Sequence, residues 1–149
     1  MPRFQPKVFL DTSTILAGIR STTGGSRAIL KLGEENHVRL FISQDVLAEL
    51  DDNIREVAPQ QLFNVAALLE VSGVEIVEPP DIATVQMCNQ FLQYSDDAVV
   101  LAAAIVAQVD YFITLDRQHL LGNRLIPSLI QVAIVSPADF LARFRAQLS

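Results

Sequence analysis

Four acidic residues, Asp11, Glu49, Asp97 and Asp116, stand far apart in the chain, yet each falls where a strand end or a helix start can aim it at a common point. Clustered carboxylates are hard oxygen donors and suit Mg²⁺ or Mn²⁺, ions that keep several waters and need few protein ligands. Ions held in this way are suited to phosphoryl chemistry. Asp11 directly follows the apolar run Val8-Phe9-Leu10, and Asp116 follows Tyr111-Phe112-Ile113-Thr114-Leu115. Both are therefore expected at the carboxyl ends of buried strands, where open α/β sheets place their ligands. A charge so close to an apolar strand must face the crevice or be paired, and Thr12, Ser13 and Thr14 offer hydroxyls to orient Asp11. Glu49 is expected on the buried side of its helix, beside Val46, Leu50 and Ile54, where an acid needs a partner; Asp51 and Asp52 read as solvated. Asp97 lies in the first turn of a helix, a place where the helix dipole favours a carboxylate even without a function. Asp96 reads as a flanking, solvated charge.

The elements that carry these acids follow from periodicity and capping. Strands are expected over residues 7–11, 39–42, 74–77 and 131–135, with a further one directly after residue 109. Between them, a short helix spans 14–19, and Ser26 is expected to cap a helix running through 35. Ser43 caps the helix bearing Val46, Leu47, Leu50 and Ile54. Pro59 starts a helix with Leu62, Phe63, Ala66 and Leu69 on one face, ending before Gly73. A helix over 82–92 precedes one capped by Ser95 over 96–109, apolar on nearly every side and so expected to be buried. A helical turn over 117–121 and a helix begun by Ser136-Pro137 complete the set. Strands alternating with helices imply an α/β fold, a three-layer α/β/α sandwich around a parallel sheet.

The chain has 149 residues, 50% of them hydrophobic, which suits one domain over residues 1–149. Its longest apolar run, 98–107, is too short to span a bilayer, and the opening residues lack a signal peptide's apolar centre, so a soluble, cytoplasmic protein is expected. Cys88 is the single cysteine; with no Cys or His at zinc spacing it reads as a small core filler. A formal net charge of −6 runs against simple phosphate binding, but the charge is uneven. Residues 1–31 hold Arg3, Lys7, Arg20, Arg27 and Lys31 against Asp11 alone. A stripe through Val46, Leu50 and Leu62 exceeds what one sheet face needs, which points to a homodimer.

Asp11-Thr12-Ser13 after an apolar strand, Ser43-x-x-Val46-x-x-Glu49, Asp97-Ala98-x-Val100-Leu101-Ala102-Ala103-Ala104 and Tyr111-Phe112-Ile113-Thr114-x-Asp116-Arg117 together resemble the PIN-domain ribonucleases, from about Val8 to Leu141. Each motif alone is weak; their order and spacing are specific. The resemblance implies a sandwich of helices around a parallel sheet, a site of three or four acids binding Mg²⁺ or Mn²⁺, and hydrolysis of RNA. It also implies an antitoxin partner, since many relatives are the toxin halves of toxin–antitoxin pairs. Asp11, Glu49, Asp97 and Asp116 match the four family acids, and Ser13 and Thr114 match the positions that support them. Ser13 replaces a usual Asn. Where many relatives carry another acid after the fourth, this chain has Gln118-His119, implying weaker hold on any second ion; His119 could touch a scissile phosphate, though a helix-surface position is the favoured reading, and His37 reads as a surface residue. Arg20, Arg27 and Arg117 are the basic residues expected nearest the RNA backbone.

Two alternatives compete with a metal-dependent ribonuclease. An aspartate-dependent phosphotransfer enzyme also keeps an Asp after its first strand. Aspartyl phosphatases need a second acid two residues later, where this chain has Ser13, and receiver domains need a strand-end lysine, whereas the only lysines are Lys7 and Lys31. A non-catalytic PIN-like protein-binding module is the other, and the retention of all four acids argues against it.

Overall fold

A computed structural model of the protein describes residues 5–127 and 130–148. Arg3 of the basic N-terminal stretch lies outside the described residues. Five short strands, β1 (Lys7–Leu10), β2 (Arg39–Ile42), β3 (Glu75–Ile76), β4 (Tyr111–Ile113) and β5 (Ala133–Val135), form one all-parallel sheet in the order β3-β2-β1-β4-β5. The connections are helical: α1 (Thr12–Arg20) and α2 (Gly25–Glu34) join β1 to β2, and α3 (Gln44–Val57) and α4 (Leu62–Val71) join β2 to β3. The return from β3 to β4 runs through α5 (Ile82–Asn89) and α6 (Ser95–Val106), and α7 (Pro137–Leu148) follows β5. Helices on both faces of the sheet complete a three-layer α/β/α sandwich, with α1 packed on α2 and α3, and α5 on α6.

The strand order decides where a site can form. From β1 the chain steps outward through β2 to β3, then crosses back to β4 and on to β5, so the order reverses between β1 and β4. At such a switch point the loops leaving the two strands diverge and open a crevice at their carboxyl ends. The two strands are held in register, Val8 opposite Tyr111 through Leu10 opposite Ile113, and the rings of Phe9 and Phe112 stack at 5.3 Å beneath the crevice. Val8, Phe9, Leu10, Phe112 and Ile113 are all essentially buried, as central parallel strands must be.

Element boundaries depart from expectation where capping chemistry was misassigned. β1 ends at Leu10 because Asp11 leaves the strand to cap α1, accepting the backbone N–H of Thr14 at 3.0 Å, so the helix begins at Thr12. Ser26 does not cap α2; it is buried inside the helix, Gly24 is the N-cap residue, and the Gly24 N–H bonds back to Ser21 Oγ. Ser95 is likewise the first residue of α6 rather than its cap. Ser43 caps α3 as expected, taking the Val46 N–H at 3.1 Å. α6 stops at Val106, before Gln108 at φ +56°, and it is not apolar-buried all round: Ala98 and Leu101 to Ala104 are buried while Val106 is exposed. Residues 117–121 form turns instead of a helix.

The apolar face of α3 is the one expected, with Val46, Leu50 and Ile54 buried, whereas that of α4 changes. Of the stripe Val46, Leu50 and Leu62, the first two are 0% and 1% exposed and belong to the core, while Leu62 is half-buried at its edge. In α4 the buried residue is Val65, whereas Phe63, expected on the apolar face, is 90% exposed and Ala66 is exposed as well. Cys88 is the core filler expected, and burial pushes its thiol up to about 11. Among the described residues no helix is long and apolar enough to cross a membrane.

Candidate active site

At the switch point a cleft of about 370 Å³ opens, lined by Asp11, Thr12, Ser13, Val46, Glu49, Tyr94, Asp96, Asp97, Val100, Phe112, Asp116, His119 and Leu120. All four sequence-derived acids are among these residues. Asp11, Asp97 and Asp116 reach the cleft from the N-cap of α1, the first turn of α6 and the turn after β4, where backbone N–H groups favour negative charge, while Glu49 projects from within α3.

Asp11 is the most firmly held. Its Oδ1 accepts from Ser13 Oγ at 2.6 Å and from the Thr14 N–H at 3.0 Å, and Thr14 Oγ1 lies at 3.1 Å while also bonding the Ile113 carbonyl at 2.9 Å. Its Oδ2 accepts from Thr114 Oγ1. Thr114 Oγ1 in turn accepts the backbone N–H of Asp116 at 3.0 Å, and Ser13 Oγ accepts that of Leu115 at 3.2 Å. Two hydroxyls thus tie the end of β4 to the carboxylate at the end of β1, so Ser13 and Thr114 connect the loops as well as orienting Asp11. With four donors around it, Asp11 is 9% exposed and compensated for its burial.

Asp116 is oriented by its own turn. Its Oδ1 accepts the backbone N–H groups of Gln118 and His119, each at 3.0 Å, and its Oδ2 lies 3.1 Å from His119 Nδ1. Asp97, in the first turn of α6, faces it, with Oδ2 3.8 Å from the same imidazole nitrogen. Burial first, and then the charge of Asp116, raise the pKa of Asp97 above the ordinary aspartate value; His119 acts the other way, and Asp96 and Asp11 add smaller repulsions. Asp97, Asp116 and His119 each offer a ligand atom within 4.8 Å of the others, and they are the one such group among the described residues. Two carboxylates and an imidazole make a donor set that fits a divalent cation, and mutual repulsion of the acids is what a site shaped for a positive charge would show. Thr12 adds a second sign: 7% exposed and lining the cleft, its Oγ1 has no hydrogen-bond partner among the described residues.

Other expected residues stand differently. Glu49 is exposed at the rim, not buried against the stripe of α3, and its carboxylate lies outside the tight group. Asp96 is exposed, as a flanking charge should be. Arg20, Arg27 and Arg117 are not among the residues lining the cleft. Arg20 and Arg117 are exposed, and Arg27 Nη1 donates to the Gly18 carbonyl at 2.9 Å, pinning α2 against α1. Sequence reasoning allows His119 a contact with the scissile phosphate but favours a helix surface, and its place among the acids is what that reasoning misses. The segment is instead a turn wound around Asp116, which swings the imidazole inward until it is 27% exposed against the edge of Tyr94. The three-residue spacing from Asp116 to His119 was the available signal.

A PIN domain family model matches residues 7–118. PAE2754 from Pyrobaculum aerophilum shares 15% identity at a TM-score of 0.61, the match covering 97% of this chain and 99% of that one. VapBC2 from Rickettsia felis, solved bound to a DNA fragment from its promoter, shares 16% identity at a TM-score of 0.66, covering 87% of this chain and 98% of that one. No curated protein sequence gives a significant match.

The raised pKa of Asp97 carries a signed prediction. Folding favours its protonated form, so stability from this group is complete below the unfolded carboxylate pKa and is lost as pH rises through the higher folded value. At neutral pH and without divalent cation, Asp97→Asn should therefore melt no lower than the unaltered chain, and any advantage should vanish below about pH 4. Thermal melts across pH check this; a variant melting clearly lower at pH 7 would make Asp97 a structural cap. The family match over most of the chain, together with the acidic cleft at the switch point, places this protein in the PIN-domain family.

Proposed function

We propose that the protein is a metal-dependent endoribonuclease, hydrolysing RNA phosphodiester bonds with Mg²⁺ or Mn²⁺, and that it is the toxin half of a toxin–antitoxin pair. The observation that supports this most is the convergence of Asp11, Asp97 and Asp116, with Glu49 at the rim, on one cleft in a chain of the PIN-domain family. Asp97 and Asp116 are the acids placed to hold the cation, and Asp11, fixed by Ser13, Thr14 and Thr114, supplies a pre-oriented carboxylate beside them. A divalent cation bound there supplies charge neutralisation at the phosphate and an acidified water. Glu49, outside the tight group and open to solvent, is the carboxylate suited to take a proton from the attacking water. Arg117, exposed directly after Asp116, is positioned for a backbone phosphate, with Arg20 and Arg27 serving any longer RNA track from outside the cleft.

The solved neighbour from Rickettsia felis is a VapBC pair, which favours a protein partner here too. Such a partner would silence the enzyme by placing an Arg or Lys among the acids. A homodimer would form through exposed apolar side chains at the end of α3 and on α4, Val57 and Phe63, in place of the core stripe. A mass of one chain by light scattering at micromolar concentration contradicts the dimer.

Metal should stabilise the fold by mass action, by about 2.7 kcal/mol at roughly a hundred times the dissociation constant. In thermal melts Mn²⁺ should raise the midpoint and EDTA reverse it. Asp116→Asn should lose both that rise and RNA cleavage, while Glu49→Gln should keep the rise and lose cleavage. An unchanged midpoint at millimolar Mn²⁺, or cleavage surviving in Asp116→Asn, contradicts the proposal.

A further inference from the structure

We propose that His119 is itself a ligand of the cation in the acidic cleft, and that its imidazole biases the centre toward first-row transition ions over Mg²⁺; this deepens the metal-dependent function proposed above and rests on it. His119 Nδ1 stands 3.1 Å from Asp116 Oδ2 and 3.8 Å from Asp97 Oδ2. Around an octahedral ion with bonds of about 2.1 Å, neighbouring ligand atoms are about 3.0 Å apart and opposite ones about 4.2 Å. The Asp116–His119 separation matches neighbouring ligands, the Asp97–His119 separation lies between the two values, and all three donors lie within 4.8 Å of one another, so one ion can touch all three after a modest adjustment of the side chains.

The imidazole rests between Tyr94 and the two carboxylates, on a turn whose backbone is itself tied down. Its ring meets the ring of Tyr94 edge-on at 4.7 Å and 78°. Its backbone N–H donates to Asp116 Oδ1 at 3.0 Å, and its carbonyl accepts from Asn123 Nδ2 at 2.8 Å. A solvated histidine on a turn would need none of this, whereas a ligand must be oriented before the ion arrives. Asp97 comes from α6 and the other two donors from the turn after β4, so an ion bridging them would clamp two segments. Thr12, which also lines the cleft, carries a buried Oγ1 with no hydrogen-bond partner among the described residues.

Nδ1 has two available uses. As N–H it donates to Asp116; as a lone pair, with the proton on Nε2, it coordinates. Mg²⁺ demands hard oxygen donors and gains little from nitrogen, while affinity for imidazole rises from Mn²⁺ through Co²⁺ along the first row. The replacement of a purely acidic set by two carboxylates and one imidazole therefore changes which ion the centre prefers.

Calorimetric titration of the full chain with Mg²⁺, Mn²⁺ and Co²⁺, alongside pulsed electron paramagnetic resonance of the Mn²⁺-loaded protein, tests this. Directly bound ¹⁴N should appear in the resonance spectrum of the unaltered chain. The ratio of Co²⁺ to Mg²⁺ affinity should fall by about tenfold or more in His119→Gln, with Mg²⁺ affinity changing far less. Ion binding without ¹⁴N coupling in the unaltered chain, or an unchanged ratio in the variant, would overturn the inference and leave His119 as a positioning residue for Asp116, with the metal-dependent function intact. No binding of any ion by the unaltered chain would overturn that function and this inference together.

Discussion

The hydroxyl of Thr114 links the two halves of this structure. It donates to Asp11 at the end of β1 and accepts the backbone N–H of Asp116 beyond β4, and with the parallel link through Ser13 it ties together two acids that are 105 positions apart in sequence and repel one another. The link is possible only because β1 and β4 are neighbours in exact enough register to bring Leu10 opposite Ile113, and they are neighbours because the sheet reverses its order between them. The stacked Phe9 and Phe112 rings set the floor beneath. Removing the Thr114 hydroxyl would leave Asp11 held through Oδ1 alone and the loop that carries Asp116 and His119 tied only through Ser13.

Charge crowding in the cleft is met in three different ways. Asp11 is compensated by hydrogen bonds from hydroxyls and a backbone N–H, at a position where an uncompensated charge would be costly. Asp116 is satisfied by two N–H groups of its own turn. Asp97 has no comparable donors among the described contacts and is the acid whose proton affinity is raised, by burial and then by Asp116. The imbalance is therefore concentrated on Asp97, next to the one imidazole that opposes it. An apolar core this well packed beneath the cleft keeps the acids from relaxing away from one another.

Much of this was legible in the sequence because the informative signals were local. An apolar run ending in Asp placed Asp11 and Asp116 at strand ends, and Ser43 three residues before Val46 placed α3 correctly. The sheet followed from alternation of strands and helices. Capping at α2 and α6 was misjudged because Ser26 and Ser95 are good cap residues by type, yet Gly24 and Tyr94 have the extended backbone that a cap position requires. The outward face of α4 was misjudged for a different reason: its apolar residues occur on every side, so periodicity could not choose between Val65 and Phe63. His119 was harder to place because the segment after Asp116 reads equally as a helical turn, and only the carboxylate capping of its own turn N–H groups, with the Tyr94 ring beside it, brings the imidazole inward.

The central claim is that this cleft is shaped for a divalent cation held by Asp97 and Asp116. Diffraction from crystals soaked in Mn²⁺, recorded at the manganese absorption edge, addresses it without reference to activity. The account predicts an anomalous peak within about 2.2 Å of carboxylate oxygens from both residues. A saturating soak that leaves this position empty, or that places manganese only elsewhere on the surface, would contradict it.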